Sequence, residues 1–408
     1  MFRSKGLDSR SYFNTNYASF IFIYLAYSSI FVFLNNYFPI LFFDVLNINR
    51  VILALMQFLA YSILLLRPAF AAITDKYKII GHQRKYYIFL SGYVLTLIYI
   101  FLGITLNNIL IFGIFLVLIF MSSTMLDVST KSLIIDTSPS DETKKRAFFF
   151  ITVGSSLGGA LPFFLYFLLI NDIYSMNSWT TLFFCNYIFL IPLLFFLPFI
   201  NEKCKNQDIT SDNSANYNLS KSNTENKKSY YKFSFILLSV FTFLAFSDII
   251  YSYPFFPFIL NKFGNGNFNL FNFYLIFFFI LSITSTAVGT FFIKRVNPRK
   301  MIFILIPILG IMYILYTVVD FTFFVILYFT AGSLATITNL NISVYIMRFT
   351  KENKSLYFHI VATFKNLSLC FFIPLGIFLS NFIITEQLII IGALLLNFSL
   401  IPLIFIKI

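Results

Sequence analysis

Residues 67–87 read RPAFAAITDKYKIIGHQRKYY and join two long apolar runs, at residues 51–74 and 86–106. The loop between the runs is short, yet it carries Asp75, Gly81, Arg84 and Lys85. Each flanking run is about as long as the ~20 apolar residues needed to cross a bilayer. The stretch therefore predicts two membrane helices joined by a tight, charged turn at the membrane surface.

The composition excludes an ordinary soluble protein. Of 408 residues, 59% are hydrophobic and only 11% are charged, too few charges to cover a soluble surface. The formal charge of +13 would suggest nucleic-acid binding in a soluble chain. Here basic loops on one side of a membrane explain it better, so we expect a lipid bilayer as the partner and no nucleic acid.

Hydropathy divides the chain into twelve apolar segments. The fold class that this predicts is an all-α multi-pass membrane protein with twelve transmembrane helices in two six-helix pseudo-repeats. A polar stretch at 201–232 is predicted to be a flexible cytoplasmic linker between an N-terminal bundle (1–200) and a C-terminal bundle (233–408). The segments are 18–43, 51–74, 86–106, 109–136, 147–170, 178–200, 233–260, 270–293, 300–319, 322–347, 356–381 and 385–406.

The distribution of basic residues predicts the orientation. Most of the 29 Lys and Arg residues fall in the two tails, the linker and alternate loops, all on one side of the predicted membrane. The side rich in Lys and Arg is normally cytoplasmic. We therefore expect both termini in the cytoplasm, in the plasma membrane or alternatively in an organelle membrane.

The two halves also resemble each other in sequence. The shift that carries Ala18, the start of the first segment, onto Phe233 also carries Arg84-Lys85 onto Arg299-Lys300. One shift that aligns both a helix start and loop charges favours an internal duplication, with parallel repeats related by an axis along the membrane normal.

The opening stretch has the form Arg-Pro…Asp-x5-Gly-x2-Arg-Lys-x-Tyr. This pattern resembles the signature loop between the second and third helices of major facilitator superfamily transporters, and most closely that of the folate–biopterin transporter branch. The resemblance implies two six-helix bundles that rock about a central substrate site, and folate or a pterin as the substrate. The sugar/cation symporter branch has a similar loop and is the alternative.

The resemblance also implies a cytoplasmic gate, which opens when the transporter faces inward. Its residues would be Asp75, Gly81, Arg84 and Lys85 of the loop, with Asp136 at the end of the fourth helix. Screened ion pairs at helix ends suit such a switch. The alternative is that these charges only mark the headgroup region.

Ionisable residues at membrane depth are costly and usually functional. Asp127 and Lys131 lie one turn apart on one face of the fourth helix, and Asp248 and Lys365 lie near the middle of the seventh and eleventh helices. With Asn36, these are the predicted substrate-binding residues. The alternatives are a self-neutralised Asp127–Lys131 pair, an Asp248–Lys365 pair across the C-terminal half, and interhelical hydrogen bonding by Asn36.

Two further features have competing interpretations. Arg67 could face the cavity or extend towards the headgroups. Gly154, Gly158 and Gly159 in the fifth helix, with the small residues Ser155 and Ser156, favour close helix packing over phosphate binding.

The sequence therefore predicts a secondary transporter that moves a small organic solute by alternating access, with Asp127 and Asp248 as candidate proton carriers. The alternative outside transport is a membrane receptor or assembly factor. We expect no enzymatic activity, because no nucleophile–base arrangement or nucleotide-binding motif is present, and no cofactor or metal. Three cysteines and two histidines offer no metal-ligand spacing. We expect the protein to be a monomer.

Overall fold

The computed structural model describes residues 4–37, 41–106, 108–137, 141–169, 175–202, 234–251, 255, 258–259, 262, 284, 297–349 and 354–406. Most of the predicted linker, residues 203–232, lies outside this part of the chain.

The described residues form eleven helices. Ten are long and apolar enough to cross a membrane, and the apolar part of α1, Asn16–Val32, is somewhat shorter. The chain is thus an all-helical, multi-pass membrane protein in its described part. The helices are α1 (Ser4–Val32), α2 (Arg50–Ser62, continued by Ile63–Leu66 and Arg67–Lys76), α3 (Lys85–Ile104), α4 (Ile109–Thr137), α5 (Asp141–Leu169), α6 (Met176–Phe199), α7 (Ser234–Tyr251), α8 (Pro298–Leu315), α9 (Phe321–Phe349), α10 (Lys354–Leu379) and α11 (Thr385–Phe405).

These helices coincide with eleven of the twelve predicted segments. The twelfth, at 270–293, lies outside the described residues apart from Thr284. The predicted start of the first helix at residue 18 is wrong, because α1 begins at Ser4. Hydropathy detects only the part of a helix that crosses the apolar core, and a polar stretch can continue the same helix beyond it.

α2 is not a single regular helix. It changes to a 3-10 turn at Ile63–Leu66 and resumes as α-helix at Arg67, with Pro68 in the first turn of the new stretch. Proline lacks a backbone N–H, so it removes one hydrogen bond from a regular α-helix, and it is favoured in the first turn of a helix. The interruption of α2 coincides with Pro68, although α5, α8 and α10 continue through Pro162, Pro307 and Pro374.

The helix contacts of the N-terminal half recur in the C-terminal half. α1 packs against α5 and α6, and α3 packs against α4 and α6. In the same way, α7 packs against α10 and α11, and α8 packs against α9 and α11. The two halves meet where α10 runs along α2 and also contacts α4.

Glycines allow the closest helix contacts. A Cβ added at Gly154 or Gly158 of α5 would collide with the carbonyl oxygens of Ile21 and Leu25 on α1. The packing interpretation of these glycines is confirmed. Gly376 of α10 has the same relation to the Ile250 carbonyl of α7, so the corresponding helix pair in the other half is also close-packed.

Large apolar side chains cover the outer faces of the helices. Leu110 on α4 is 78% exposed and Ile114, one turn further along, is 61% exposed. In water such a surface would drive aggregation, but lipid tails can cover it. The outer surface is therefore suited to a bilayer.

Candidate functional site

A buried cluster forms around Asp127 on α4. Its carboxylate accepts hydrogen bonds from Arg67 on α2, from Lys131 one turn along α4, with Nζ–Oδ1 at 2.9 Å, and from the Tyr24 hydroxyl on α1 at 2.5 Å. We call these four residues the Asp127 cluster. It joins three helices of the N-terminal half at one carboxylate.

Local sequence explains the cluster. Asp127 and Lys131 are four residues apart, so they lie on the same face of α4, and they form the ion pair that the sequence analysis gave as the alternative to a substrate site. The Arg67 side chain is only 6% exposed, so its alternative interpretation, extension to the headgroups, is wrong. A guanidinium can stay at this depth because a carboxylate neutralises it.

Lys365 approaches from the other half of the protein. Its ammonium lies 4.3 Å from the ring centroid of Phe246, a cation–π contact, and it is within electrostatic range of Arg67 and Lys131. Lys365 and Asp248 interact electrostatically, but the ion pairs of the described residues do not include one between them. Lys365 is therefore left without a close carboxylate in the part of the chain described.

Asp248 has nearby interaction partners of its own. It lies in the 3-10 turn Ser247–Tyr251 at the end of α7. Its carboxyl group interacts electrostatically with the Tyr313 hydroxyl, with the backbone at Asp248 and Ile249, and with Lys365. Asp248 therefore lies in a polar environment formed mainly by the C-terminal half.

His359 on α10 adds a second polar contact between the halves. Its Nε2 lies 3.0 Å from the Ser132 hydroxyl oxygen on α4. Among the described residues, its Nδ1 has no hydrogen-bond partner, and neither has the Nε of Arg67, although both atoms are buried. Buried polar atoms without partners are uncommon in proteins, so both atoms are available for a further hydrogen bond.

Basic side chains outnumber acidic ones where the halves meet, among the residues that the structure describes. Arg67, Lys131 and Lys365 are three basic groups, whereas Asp127 and Asp248 are two acidic groups. Positive charge in excess inside a membrane protein is unfavourable unless an anion compensates it. The arrangement can therefore accept an anionic group.

A second cluster forms at the turn between α2 and α3. The Arg84 guanidinium donates to the Asp75 carboxylate, to the Thr74 hydroxyl and, at 3.1 Å, to the Asp136 carboxylate at the end of α4. We call these residues the Arg84 cluster. Only 2% of the Arg84 side chain is exposed, so it does not simply lie among the lipid headgroups. Its partners among the described residues all belong to the N-terminal half.

The turn itself is held by backbone geometry. Ile79 and His82 exchange two backbone hydrogen bonds of 2.9 and 3.0 Å, and Ile80 and Gly81 between them have φ angles of +49° and +77°. Two consecutive positive φ values are typical of a type I′ turn, in which glycine is favoured. Gly81 therefore serves the turn that brings Arg84 back towards α4.

Sequence reasoning missed Glu202. Its carboxylate, following α6, accepts the backbone N–H groups of Gln83, Arg84 and Lys85 at 3.1, 3.0 and 2.9 Å. The prediction of a flexible linker from residue 201 is wrong for its first two residues, because Asn201 is also fixed, by paired hydrogen bonds with Asn16. An acidic residue at the start of a polar linker gave no signal that it would cap a distant helix.

Of the predicted substrate-binding residues, the structure brings Asp127, Lys131 and Lys365 towards one region and gives Asp248 local partners. The side chain of Asn36 lies outside the described part of the chain. Comparisons with protein-family models and with curated proteins find no match for this chain.

Proposed function

We propose that the protein is a secondary transporter of the major facilitator type, which moves a small organic anion by alternating access. Folate or a pterin is the first candidate. The observation that carries this proposal is the group of three basic side chains where α10 meets α2 and α4, Arg67, Lys131 and Lys365, of which the first two share the single carboxylate of Asp127.

The cationic residues suit an anionic cargo in different ways. Arg67 and Lys131 already share one carboxylate, that of Asp127, and Lys365 adds a charge from the other half. A cargo carboxylate could bind Lys365 and approach Arg67, whose buried Nε lacks a partner among the described residues. Charge-assisted hydrogen bonds of this kind are among the strongest that proteins form.

Protonation of Asp127 could couple cargo transport to proton transport. It competes with the cargo for Arg67 and Lys131, since all three side chains meet at one point. A proton taken up by Asp127 would neutralise its carboxylate and release both cations to the cargo anion. Return of the proton on the opposite side would restore the ion pairs and expel the cargo.

Alternating access is supported by the architecture. The recurring helix contacts in the two halves are those expected of two six-helix repeats that move as units. The Arg84 cluster, with Gly81 and Lys85, remains the proposed cytoplasmic gate, whose ion pairs would break when the transporter opens inward. We further propose that both termini are cytoplasmic, in the plasma membrane, and that the protein acts as a monomer.

Uptake in a transport-deficient host tests the function. Labelled folate and a labelled hexose would be offered to cells with the wild type and with Lys365→Ala, over a range of external pH. We expect folate uptake that increases as external pH falls and is lost in the variant. Hexose uptake without folate uptake would favour the sugar/cation symporter branch. If neither accumulates although the protein is correctly inserted, a receptor or assembly factor becomes the better interpretation.

A further inference from the structure

One hydrogen bond links the backbone of α2 directly to α10. The side-chain amide of Asn366 donates from Nδ2 to the carbonyl oxygen of Leu64 at 3.1 Å, and both groups are buried. Asn366 is adjacent to Lys365 on α10, and Leu64 is three residues before Arg67 on α2. The bond therefore joins the two helices beside the cations of the proposed site.

Pro68 explains why the Leu64 carbonyl can accept this bond. In a regular α-helix this oxygen would be bonded by the N–H of residue 68, and proline has no N–H. The chain forms a 3-10 turn at Ile63–Leu66 instead, with less well-aligned hydrogen bonds. A carbonyl that lacks its α-helical donor costs free energy in the membrane interior, and the Asn366 amide supplies a donor from outside α2.

Two other asparagines in membrane helices donate within their own helix and not to a neighbouring one. Asn341 on α9 and Asn397 on α11 both donate to the carbonyl four residues earlier in their own helix, each at 2.8 Å. Asn366 has the same local option, because α10 is helical around it. The Asn366 amide instead donates to the Leu64 carbonyl of α2 in the other half. The α-helical donor to that carbonyl would be the N–H of residue 68, which proline lacks.

We propose that Pro68 and Asn366 act together as positioning residues that set the register of α10 against α2, and so hold Lys365 opposite Arg67. The role in cargo binding rests on the proposed function. The dependence of the Asn366 hydrogen bond on Pro68 is independent of that function and can be tested without any cargo.

Cys370 provides a native reporter of this contact. It lies one turn beyond Asn366, is buried, and its Sγ is 3.9 Å from the Phe58 carbonyl oxygen on α2. If α10 separates from α2, the thiol becomes accessible. Replacing Cys185 and Cys204 with serine leaves Cys370 as the single cysteine.

The experiment measures the rate at which N-ethylmaleimide labels Cys370 in the purified full-length protein in lipid nanodiscs. Asn366→Leu should label roughly tenfold faster than the parent, because it leaves a buried carbonyl unsatisfied. Asn366→Asp, which keeps the shape but replaces the donor, should also accelerate labelling. Ser368→Ala is the matched control on the same helix, since the buried Ser368 hydroxyl has no hydrogen-bond partner among the described residues, and should label at the parental rate.

The decisive comparison repeats Asn366→Leu in a Pro68→Ala background. Alanine restores the N–H that can bond the Leu64 carbonyl, so the Asn366 substitution should then change the labelling rate less than about twofold. Equal acceleration in both backgrounds, or none in either, would overturn the inference. Because these rates require no transport, failure to take up folate would count against the proposed function alone.

Discussion

Arg67 on α2 and Asp127 on α4 form an ion pair from which water is nearly excluded, with 6% and 1% of their side chains exposed. Lys131 and Tyr24 bind the same carboxylate, so one acid compensates two cations. The Asp127 cluster thus holds three helices of the N-terminal half together. Its two cations could also bind a second anion.

Replacing Asp127 with asparagine should destabilise the protein strongly, because Arg67 and Lys131 would remain buried without a counter-charge. Breaking a buried ion pair from one side typically costs about 3–5 kcal/mol. Thermal unfolding of the detergent-purified protein measures the effect.

Two variants control this experiment. Tyr24→Phe removes a single hydrogen bond to the same carboxylate and should cost about 1 kcal/mol. The double variant Asp127→Asn with Arg67→Gln should be more stable than Asp127→Asn alone. Wild-type stability of Asp127→Asn would show that the ion pair does not hold these helices together.

Arg84→Lys tests the second cluster. A lysine keeps the charge but cannot present the planar fork with which Arg84 contacts Thr74, Asp75 and Asp136. We expect a loss of about 1–3 kcal/mol and faster proteolysis within the α2–α3 turn. Lys85→Gln, next to it, should be much milder, because the backbone and not the side chain of Lys85 binds Glu202. Equal effects of the two substitutions would refute a specific role for Arg84.

Glu202→Ala should release the first turn of α3. The carboxylate accepts three backbone N–H groups there, and it is a negative group at the positive end of a helix. Hydrogen–deuterium exchange should accelerate at the amides of residues 83–85 and remain unchanged in the middle of α3. Unchanged protection at residues 83–85 would mean that Glu202 does not cap this helix.

The glycines of α5 allow a comparison between neighbours. A Cβ at Gly158 would collide with the Leu25 carbonyl oxygen, whereas a Cβ at Gly159 meets only a methyl group of Val32, at 3.4 Å. Gly158→Ala should therefore lower the melting temperature, while Gly159→Ala should be tolerated or slightly stabilising. Similar melting temperatures for the two variants would contradict close packing of α5 on α1.

Much of the fold could be predicted because apolar length and periodicity depend on local sequence. Segment positions agree with eleven described helices, and the four-residue spacing of Asp127 and Lys131 allowed the pair that the structure shows, which the sequence offered as an alternative. The direction of Arg67 could not be predicted, because an arginine near a helix end can reach either water or a buried acid. Only the packing of α2 on α4 decides between them.

Contacts between distant parts of the chain were missed for a different reason. Glu202 binds the start of α3, and Asn366 binds a carbonyl on α2, yet neither residue forms a recognisable motif with its partner. Asp248 was predicted to be a cargo or proton residue because of its depth, and its electrostatic interaction with Tyr313 on another helix could not be predicted from local sequence.

The most direct test of the central claim is ligand-induced thermal stabilisation of the purified protein. Folate and benzoate would be compared with glucose and choline, in the wild type and in Lys365→Gln, since a ligand that binds only the folded state raises its stability. An anion site that includes Lys365 predicts that folate, benzoate or both raise the melting temperature, whereas glucose and choline do not. The stabilisation should be lost in Lys365→Gln. Stabilisation by glucose or choline that persists in the variant would contradict an anion site at the meeting of the two halves.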